Sequence, residues 1–116
     1  MAGHAHMTPY DELTARIEAL SREAPGVMGA FGRLHAASQG AGALEPKAKE
    51  LMALAIGIAL RCDGCMSYHL HDALAAGATR DEVVEAVGVA VMMGGGPAVL
   101  YGSEVLEALD AGAVRA

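Results

Sequence analysis

Apolar residues recur along the chain at the three- and four-residue spacing of α-helices, and no segment shows strand-like alternation. Capping and turn residues divide this pattern into six helical stretches joined by short connections. The predicted helices run from the Thr8-Pro9 cap to about Arg22, from Val27 to about Ser38, from Glu45-Pro46 through 51–60, from about Asp63 to Ala76, from the Thr79 cap to about Met93, and from about Ala98 to Ala111. The sequence therefore predicts an all-α fold of about six helices.

Two of these helices carry apolar residues on nearly every side. The third contains the uninterrupted run Leu51 to Leu60, which predicts a central position in the fold. The fifth is rich in valine, which leaves a strand open as an alternative, but the capping box Thr79-Arg-Asp-Glu82 and the alanines favour a helix. We expect both helices to be buried in the core or between subunits.

Length and composition indicate one domain. The chain has 116 residues, enough for a single core, and we predict a flexible tail at 1–7 followed by one helical domain at 8–116. Hydrophobic residues make up 53% of the chain but include one Phe and no Trp, so small and aliphatic side chains must form the core. Because the mean hydropathy is +0.33, we expect some apolar surface to lie between subunits.

Charge and hydropathy exclude several classes of partner. The formal net charge of −6 argues against nucleic acids and anionic membranes, since both are bound by basic patches. The longest apolar run is about half the roughly 20 residues that span a bilayer. The N-terminus lacks the charged-then-apolar layout of a signal peptide. We therefore predict a cytoplasmic protein, in which two cysteines three residues apart indicate catalysis or metal binding.

The chemistry-bearing motif is Cys62-Asp-Gly-Cys65, followed four residues later by His69. On a helix these three side chains lie on one stripe, with Cys65 and His69 one turn apart. A helix beginning at or just before Cys62 would direct free N–H groups at the sulfur and favour the thiolate. A cysteine pair at this position can form and exchange a disulfide with little backbone movement, so the motif predicts a redox pair.

An acidic residue, Glu50, lies twelve residues before Cys62. On one continuous helix the two would be about 18 Å apart, too far for proton exchange. Asp63 and Gly64 are poor helix-interior residues, so we predict that the chain reverses at 61–64. Glu50 and His69 then face each other across an antiparallel helix pair, and we expect a proton relay from Glu50 through His69 to Cys65.

Other interpretations of the same residues stay open. Cys62, Cys65, His69 and His71 are possible zinc ligands, although His71 lies about 200° around the helix from His69. His35 is either a distal site residue or a partly exposed helix histidine, the latter being the commoner case. The tail residues His4 and His6 are capable of binding a metal adventitiously. The run Gly94-Gly95-Gly96-Pro97 predicts a tight turn, because no Lys accompanies it as in a phosphate-binding loop.

The spacing E-x11-C-x-x-C-x-x-x-H, together with residues 75–82 and 91–98, resembles the carboxymuconolactone decarboxylase/AhpD-like family. The resemblance covers roughly residues 25–110 and is strongest to the small, single-repeat members that keep both cysteines. It implies an all-α AhpD-like fold whose central antiparallel helix hairpin carries the C-x-x-C motif. It also implies a symmetric assembly, a homo-trimer or homo-hexamer.

The resemblance further implies a thiol-dependent alkylhydroperoxidase or disulfide oxidoreductase. Cys65 would attack the peroxide, Cys62 would resolve the product as a disulfide, and Glu50 with His69 would form the relay. A lipoyl-bearing or thioredoxin-like dithiol protein would be the reductant, and no cofactor is predicted. Well-studied peroxidases of the family carry His where this chain has Gly64. The alternatives are a non-redox enzyme of the lactone decarboxylase type, which does not depend on the cysteine pair, and a non-catalytic oligomeric member.

Overall fold

The computed structural model describes residues 7–116, which form six α-helices and no strand. The all-α prediction is therefore confirmed. Of the predicted tail, residues 1–6 lie outside the described residues, whereas Met7 is buried in the core and is not part of a loose end. The helices are α1 (Tyr10–Glu23), α2 (Pro25–Gln39), α3 (Pro46–Ala59), α4 (Asp63–Ala75), α5 (Arg80–Gly94) and α6 (Gly96–Asp110).

Helices α3 and α4 form the central antiparallel hairpin, and α3 also contacts α2, α5 and α6. The two hairpin helices supply the largest fully buried side chains of the core, Leu54, Ile58, Met66 and Leu70, and α5 and α6 complete it. Helices α1 and α2 contribute no buried residue and lie on the outside of this hairpin. Within residues 7–116, no helix combines the length and hydropathy needed to cross a membrane.

The chain reverses between α3 and α4 within the predicted segment 61–64, and Arg61 makes the turn. Arg61 has φ 58°, the left-handed conformation that usually requires glycine. The Arg61 N–H bonds to the Ile58 carbonyl, and the Cys62 N–H bonds to the Gly57 carbonyl, each at 3.0 Å. These two bonds form a Schellman motif, which ends α3 and turns the chain so that α4 begins two residues later. Helix α4 begins at Asp63, as predicted, and Gly64 lies inside its first turn.

Local capping residues set the other boundaries. Gly77 has φ 96° after α4, and the adjoining Ala78 N–H bonds to the Ala73 carbonyl, so this glycine ends the helix in the left-handed conformation. The capping box of α5 is also confirmed: the Glu82 N–H donates to the Thr79 hydroxyl at 3.1 Å, and the Thr79 N–H donates to the Glu82 carboxylate at 2.8 Å. Gly95, at φ 71°, makes the predicted turn before α6.

The expected cap of α1 is wrong. Thr8 does not cap α1, because its N–H and hydroxyl both donate to the Asp63 carboxylate, at 2.9 and 3.1 Å. These bonds instead tie the chain before α1 to the first turn of α4. Helix α3 lies at the centre of the fold as expected, and α3 and α5 each leave one apolar face open in the single chain. Burial of these faces between subunits stays a prediction. The exposed side chains on these faces include Met52, Ile56, Val89 and Met92.

Candidate functional site

Cys62 and Cys65 form a disulfide at the N-terminus of α4, with their Cα atoms 5.2 Å apart. Cys62 is the N-cap residue, and its Sγ accepts the Cys65 N–H at 3.1 Å. Both cysteines are half-buried. When the disulfide is reduced, this N–H and the positive end of the helix dipole favour negative charge on Cys62. Cys62 is consequently the sulfur best suited to leave as a thiolate.

Glu50 and His69 lie together across the α3–α4 hairpin. The Nδ1 atom of His69 and the Oε1 atom of Glu50 are 2.8 Å apart, so the predicted proximity is confirmed and no bridging water is needed. The Glu50 side chain is only 8% exposed and that of His69 19%, which keeps the pair largely out of water. An ionised Glu50 accepts the Nδ1 proton and leaves Nε2 of His69 free to exchange a proton with a neighbouring group.

A negative field extends from this pair to the neighbouring Tyr68. Burial, and after it the charges of Asp72 and Glu50, raise the pKa of the Tyr68 phenol. The Tyr68 ring also lies edge-on to His69, with centroids 5.4 Å apart. Tyr68 therefore stays protonated at ordinary pH and forms an uncharged wall beside the imidazole.

Two cavities reach the site from opposite sides. One, of about 600 Å³, lies between α1, α2 and the start of α4 and is lined mainly by apolar side chains, Phe31 among them. The other, of about 430 Å³, lies beside α3 and is lined by residues that include Met52. Cys65 and His69 line both cavities, whereas Cys62 lines only the larger one. A small molecule therefore has access to Cys65 without moving the backbone.

Two glycines allow helices to approach the cysteines closely. A Cβ atom on Gly57 would lie 3.0 Å from the Cβ of Cys65, so a glycine there lets α3 lie against the motif. A Cβ on Gly64 would lie 3.3 Å from Cδ1 of Leu13. The glycine that stands where the family's peroxidases carry His is thus in contact with α1, and a larger side chain there would require the Leu13 side chain to move.

The structure adds residues to the site that the motif did not identify. His35 of α2 lies beside His69, with ring centroids 6.0 Å apart, which places it at the site and not merely on an exposed helix face. Asp72, one turn after His69, belongs to the same group of side chains. His35 reaches the site only through the packing of α2 on the hairpin, so no local sequence signal marks it. Asp72 does have a local signal, its three-residue spacing from His69 on α4, which the motif alone did not include.

The predicted thiol–histidine zinc ligands are not assembled in this form of the protein. Both sulfurs are joined to each other in the disulfide. His71 faces another way: its ring stacks on Tyr10 at a centroid distance of 3.7 Å, and its Nδ1 lies 2.9 Å from Oδ1 of Asp72. His71 therefore belongs to the contact between α1 and α4.

Comparison with known proteins agrees with this architecture. A family model for the carboxymuconolactone decarboxylase family matches residues 25–108. An uncharacterized protein of Cupriavidus necator is 37% identical over 105 residues, covering 90% of this chain and 92% of its own length. A second uncharacterized protein, encoded in the cox locus of Paracoccus denitrificans, is 31% identical and covers 84% of this chain and 87% of its own.

Solved structures give the same result. The apo form of a carboxymuconolactone decarboxylase family protein from Legionella pneumophila superposes with a TM-score of 0.82 at 38% identity, covering 88% of this chain and 91% of that one. A Thermotoga maritima protein superposes with a TM-score of 0.75 at 29% identity, covering 88% and 96%. The chain belongs to the carboxymuconolactone decarboxylase/AhpD-like family.

Proposed function

We propose that the protein is a thiol-dependent peroxidase that uses Cys62 and Cys65 as its redox pair and Glu50 with His69 as its proton relay. The observation that carries this proposal is the placement of the disulfide at a helix N-terminus, one turn before a histidine that is paired with a buried carboxylate at 2.8 Å. Half-buried sulfurs beside two cavities are accessible to a small oxidant.

In the oxidative half-reaction, His69 takes the proton of the Cys65 thiol. The thiolate attacks the terminal oxygen of a hydroperoxide, the O–O bond breaks, and the sulfur becomes a sulfenic acid. The leaving alkoxide receives the proton from His69 and departs as an alcohol. The Glu50 carboxylate stabilises the imidazolium that forms between these two proton transfers.

The Cys62 thiol then attacks the sulfenic acid, which forms the observed disulfide and releases water. A dithiol reductant closes the cycle: its thiolate attacks the disulfide, a mixed disulfide forms, and the second thiol of the donor displaces the protein sulfur. The donor leaves oxidised and both protein cysteines are reduced. A lipoyl- or thioredoxin-like protein supplies such a dithiol, in the reducing environment of the cytoplasm.

One relative supports a redox role. A part in the antioxidative response has been suggested for the Thermotoga maritima family protein, whose second structure superposes with a TM-score of 0.63 at 35% identity over 72% of this chain. The non-redox alternatives do not depend on a cysteine pair, whereas this chain holds both cysteines in a disulfide beside the cavities.

The same proposal includes a homo-oligomer, a trimer or hexamer. Large apolar side chains on α3, at the end of α5 and at the start of α6 are at least half exposed in the single chain, a pattern typical of surfaces covered by another subunit. They are Met52, Ile56, Leu60, Val89, Met92, Met93, Val99 and Leu100. Light scattering at micromolar concentration tests this assembly, and a monomer would contradict it.

The test of the activity is steady-state consumption of cumene hydroperoxide with dihydrolipoamide as the dithiol. The wild-type protein turns over, whereas Cys65→Ser and Cys62→Ser lose turnover. Ser103→Ala, an exposed change on α6 far from the motif, serves as the control and retains the wild-type rate. Full activity in Cys65→Ser would refute the proposed mechanism.

A further inference from the structure

Four side chains from three helices converge next to the disulfide. They are His35 of α2, Glu50 of α3, and His69 and Asp72 of α4, and the ligand atoms that they offer lie within 4.8 Å of one another. We propose that these residues form a binding site for a divalent transition-metal cation, of which zinc is the representative, and that this site uses no cysteine.

His35 provides an observation that is independent of the clustering. Its Nε2 atom is buried and has no hydrogen-bond partner, although the ring lies against His69. An unsatisfied buried imidazole nitrogen is costly, and in native structures such an atom calls for an explanation. A neutral imidazole nitrogen with a free lone pair is also the commonest metal ligand in proteins. A cation at this point gives the orphaned nitrogen its missing partner.

The local charge favours a cation. Glu50 and Asp72 bring two carboxylates to the cluster, and their combined negative field is the one that acts on Tyr68. The ammonium group of Lys49 forms no ion pair with either carboxylate, because its Nζ donates to the carbonyl oxygens of Ser38 and Gly40, at 2.9 and 2.7 Å. A bound divalent cation would balance both carboxylates.

The backbone already presents these ligands to one point. His69 and Asp72 are three residues apart on α4 and so share a face. Glu50 reaches His69 from α3 at 2.8 Å, and a cation takes the place of the proton that the two share. Zinc bonds of about 2.0–2.2 Å place tetrahedral ligand atoms roughly 3.4 Å apart. The ligand atoms here lie up to 4.8 Å apart, and side-chain rotation is enough to bring them to that distance. Asp72 uses one oxygen on His71 and has a second to offer.

The ligand set fits metal ions that are intermediate between hard and soft. Imidazole nitrogen with carboxylate oxygen suits zinc and the neighbouring first-row divalent ions, whereas calcium and magnesium prefer oxygen alone. Because the site uses no cysteine, all its ligands are present in the oxidised protein, in which both sulfurs are engaged in the disulfide. A bound cation would also fasten α2, which contributes no buried residue, to the α3–α4 hairpin.

Metal binding would also change the peroxidase chemistry. This consequence rests on the proposed function, whereas the metal binding itself does not. A cation held by Glu50 and His69 takes away the proton relay. Zinc therefore inhibits peroxide reduction, and a chelator restores it. If the protein proves to have no peroxidase activity, the metal site still stands or falls by the binding data alone.

The test is zinc binding to the full-length, disulfide-intact protein. The parent protein carries His4→Ala and His6→Ala, so that the tail histidines do not bind zinc. Isothermal titration gives the stoichiometry, and thermal unfolding gives a second readout. We expect one zinc per chain, and at a hundredfold excess over the dissociation constant a rise in the unfolding midpoint on the order of 10 °C. His35→Asn and Asp72→Asn each weaken binding at least tenfold. The control Asp81→Asn, an exposed change on α5 outside the cluster, leaves the dissociation constant within about threefold of the parent value.

Cobalt in place of zinc reports the ligand atoms. The expected visible spectrum is that of a nitrogen- and oxygen-bound ion, with no sulfur-to-cobalt charge-transfer band. The proposal is overturned if zinc binds only after the disulfide is reduced, if His35→Asn binds as tightly as the parent protein, or if the disulfide-intact protein shows no zinc-dependent change in its unfolding midpoint.

Discussion

Gly57 allows the closest approach between the two central helices at the cysteine motif, which makes Gly57→Ala a direct probe of the site's construction. The new methyl carbon would lie 3.0 Å from Cβ of Cys65 and 3.5 Å from the Met66 nitrogen. Overpacking of this kind costs about 1–3 kcal/mol. Replacing a helix-interior glycine by alanine returns about 1 kcal/mol of helix propensity. The net result is a loss of about 0–2 kcal/mol in the free energy of unfolding.

Gly88 provides the matched control. It lies in the interior of α5, is exposed, and has no atom within 4 Å of the position of an added Cβ. Gly88→Ala therefore keeps the whole propensity gain and stabilises by about 1 kcal/mol. The two variants should differ by about 1–3 kcal/mol, which is roughly 4–12 °C in unfolding midpoint for a domain of this size.

The assay is urea unfolding of both variants at one protein concentration with the disulfide intact. Unequal stability, with Gly57→Ala the weaker, supports the close packing of α3 on Cys65. If both substitutions stabilise by the same amount, the helices do not approach at Gly57, and the placement of Glu50 against His69 loses its structural basis.

Three further predictions follow from particular contacts. Glu50→Gln keeps a hydrogen-bond acceptor for His69 but removes the charge, so the rate of peroxide-driven thiol loss falls about 10²-fold, as measured by stopped-flow. Arg61→Gly relieves the left-handed strain and stabilises by about 1 kcal/mol or less in urea unfolding; a loss of stability would contradict the strain. The bonds from the Thr79 backbone and from Lys47 lower the pKa of Glu82, so its contribution to stability is present above the usual pKa of 4.5 and is lost as the pH falls through the folded value. Urea midpoints between pH 6 and about 2 should show this decline, and Glu82→Gln should flatten it.

The helices and much of the site were predictable because their signals are local. Capping residues such as Thr79 and the C-terminal Gly77 act within one turn, and the spacing of Cys62, Cys65 and His69 defines a stripe on one helix. The contact between Glu50 and His69 required one further step, a reversal at 61–64. The structure confirms that reversal and the contact.

What sequence reasoning could not supply depends on packing between helices. The break at 61–64 was predictable, but the left-handed conformation of Arg61 was not, because the two Schellman hydrogen bonds and the following helix hold a residue there that is not glycine. His35 reaches the site through the position of α2, which no spacing within its own helix predicts. The contact of Gly64 with Leu13 of α1 likewise depends on packing between helices and could not be predicted from the sequence.

Thiol titration of the reduced protein, before and after one equivalent of an organic hydroperoxide, tests the redox pair most directly. Mass spectrometry of the peptide that contains Cys62 and Cys65 identifies the product. The account predicts rapid loss of both thiols and a peptide lighter by two hydrogen atoms, together with a sulfenic acid on Cys65 when Cys62→Ser prevents its resolution. Thiols that persist for minutes in the presence of peroxide would contradict the proposal that this cysteine pair reduces peroxides.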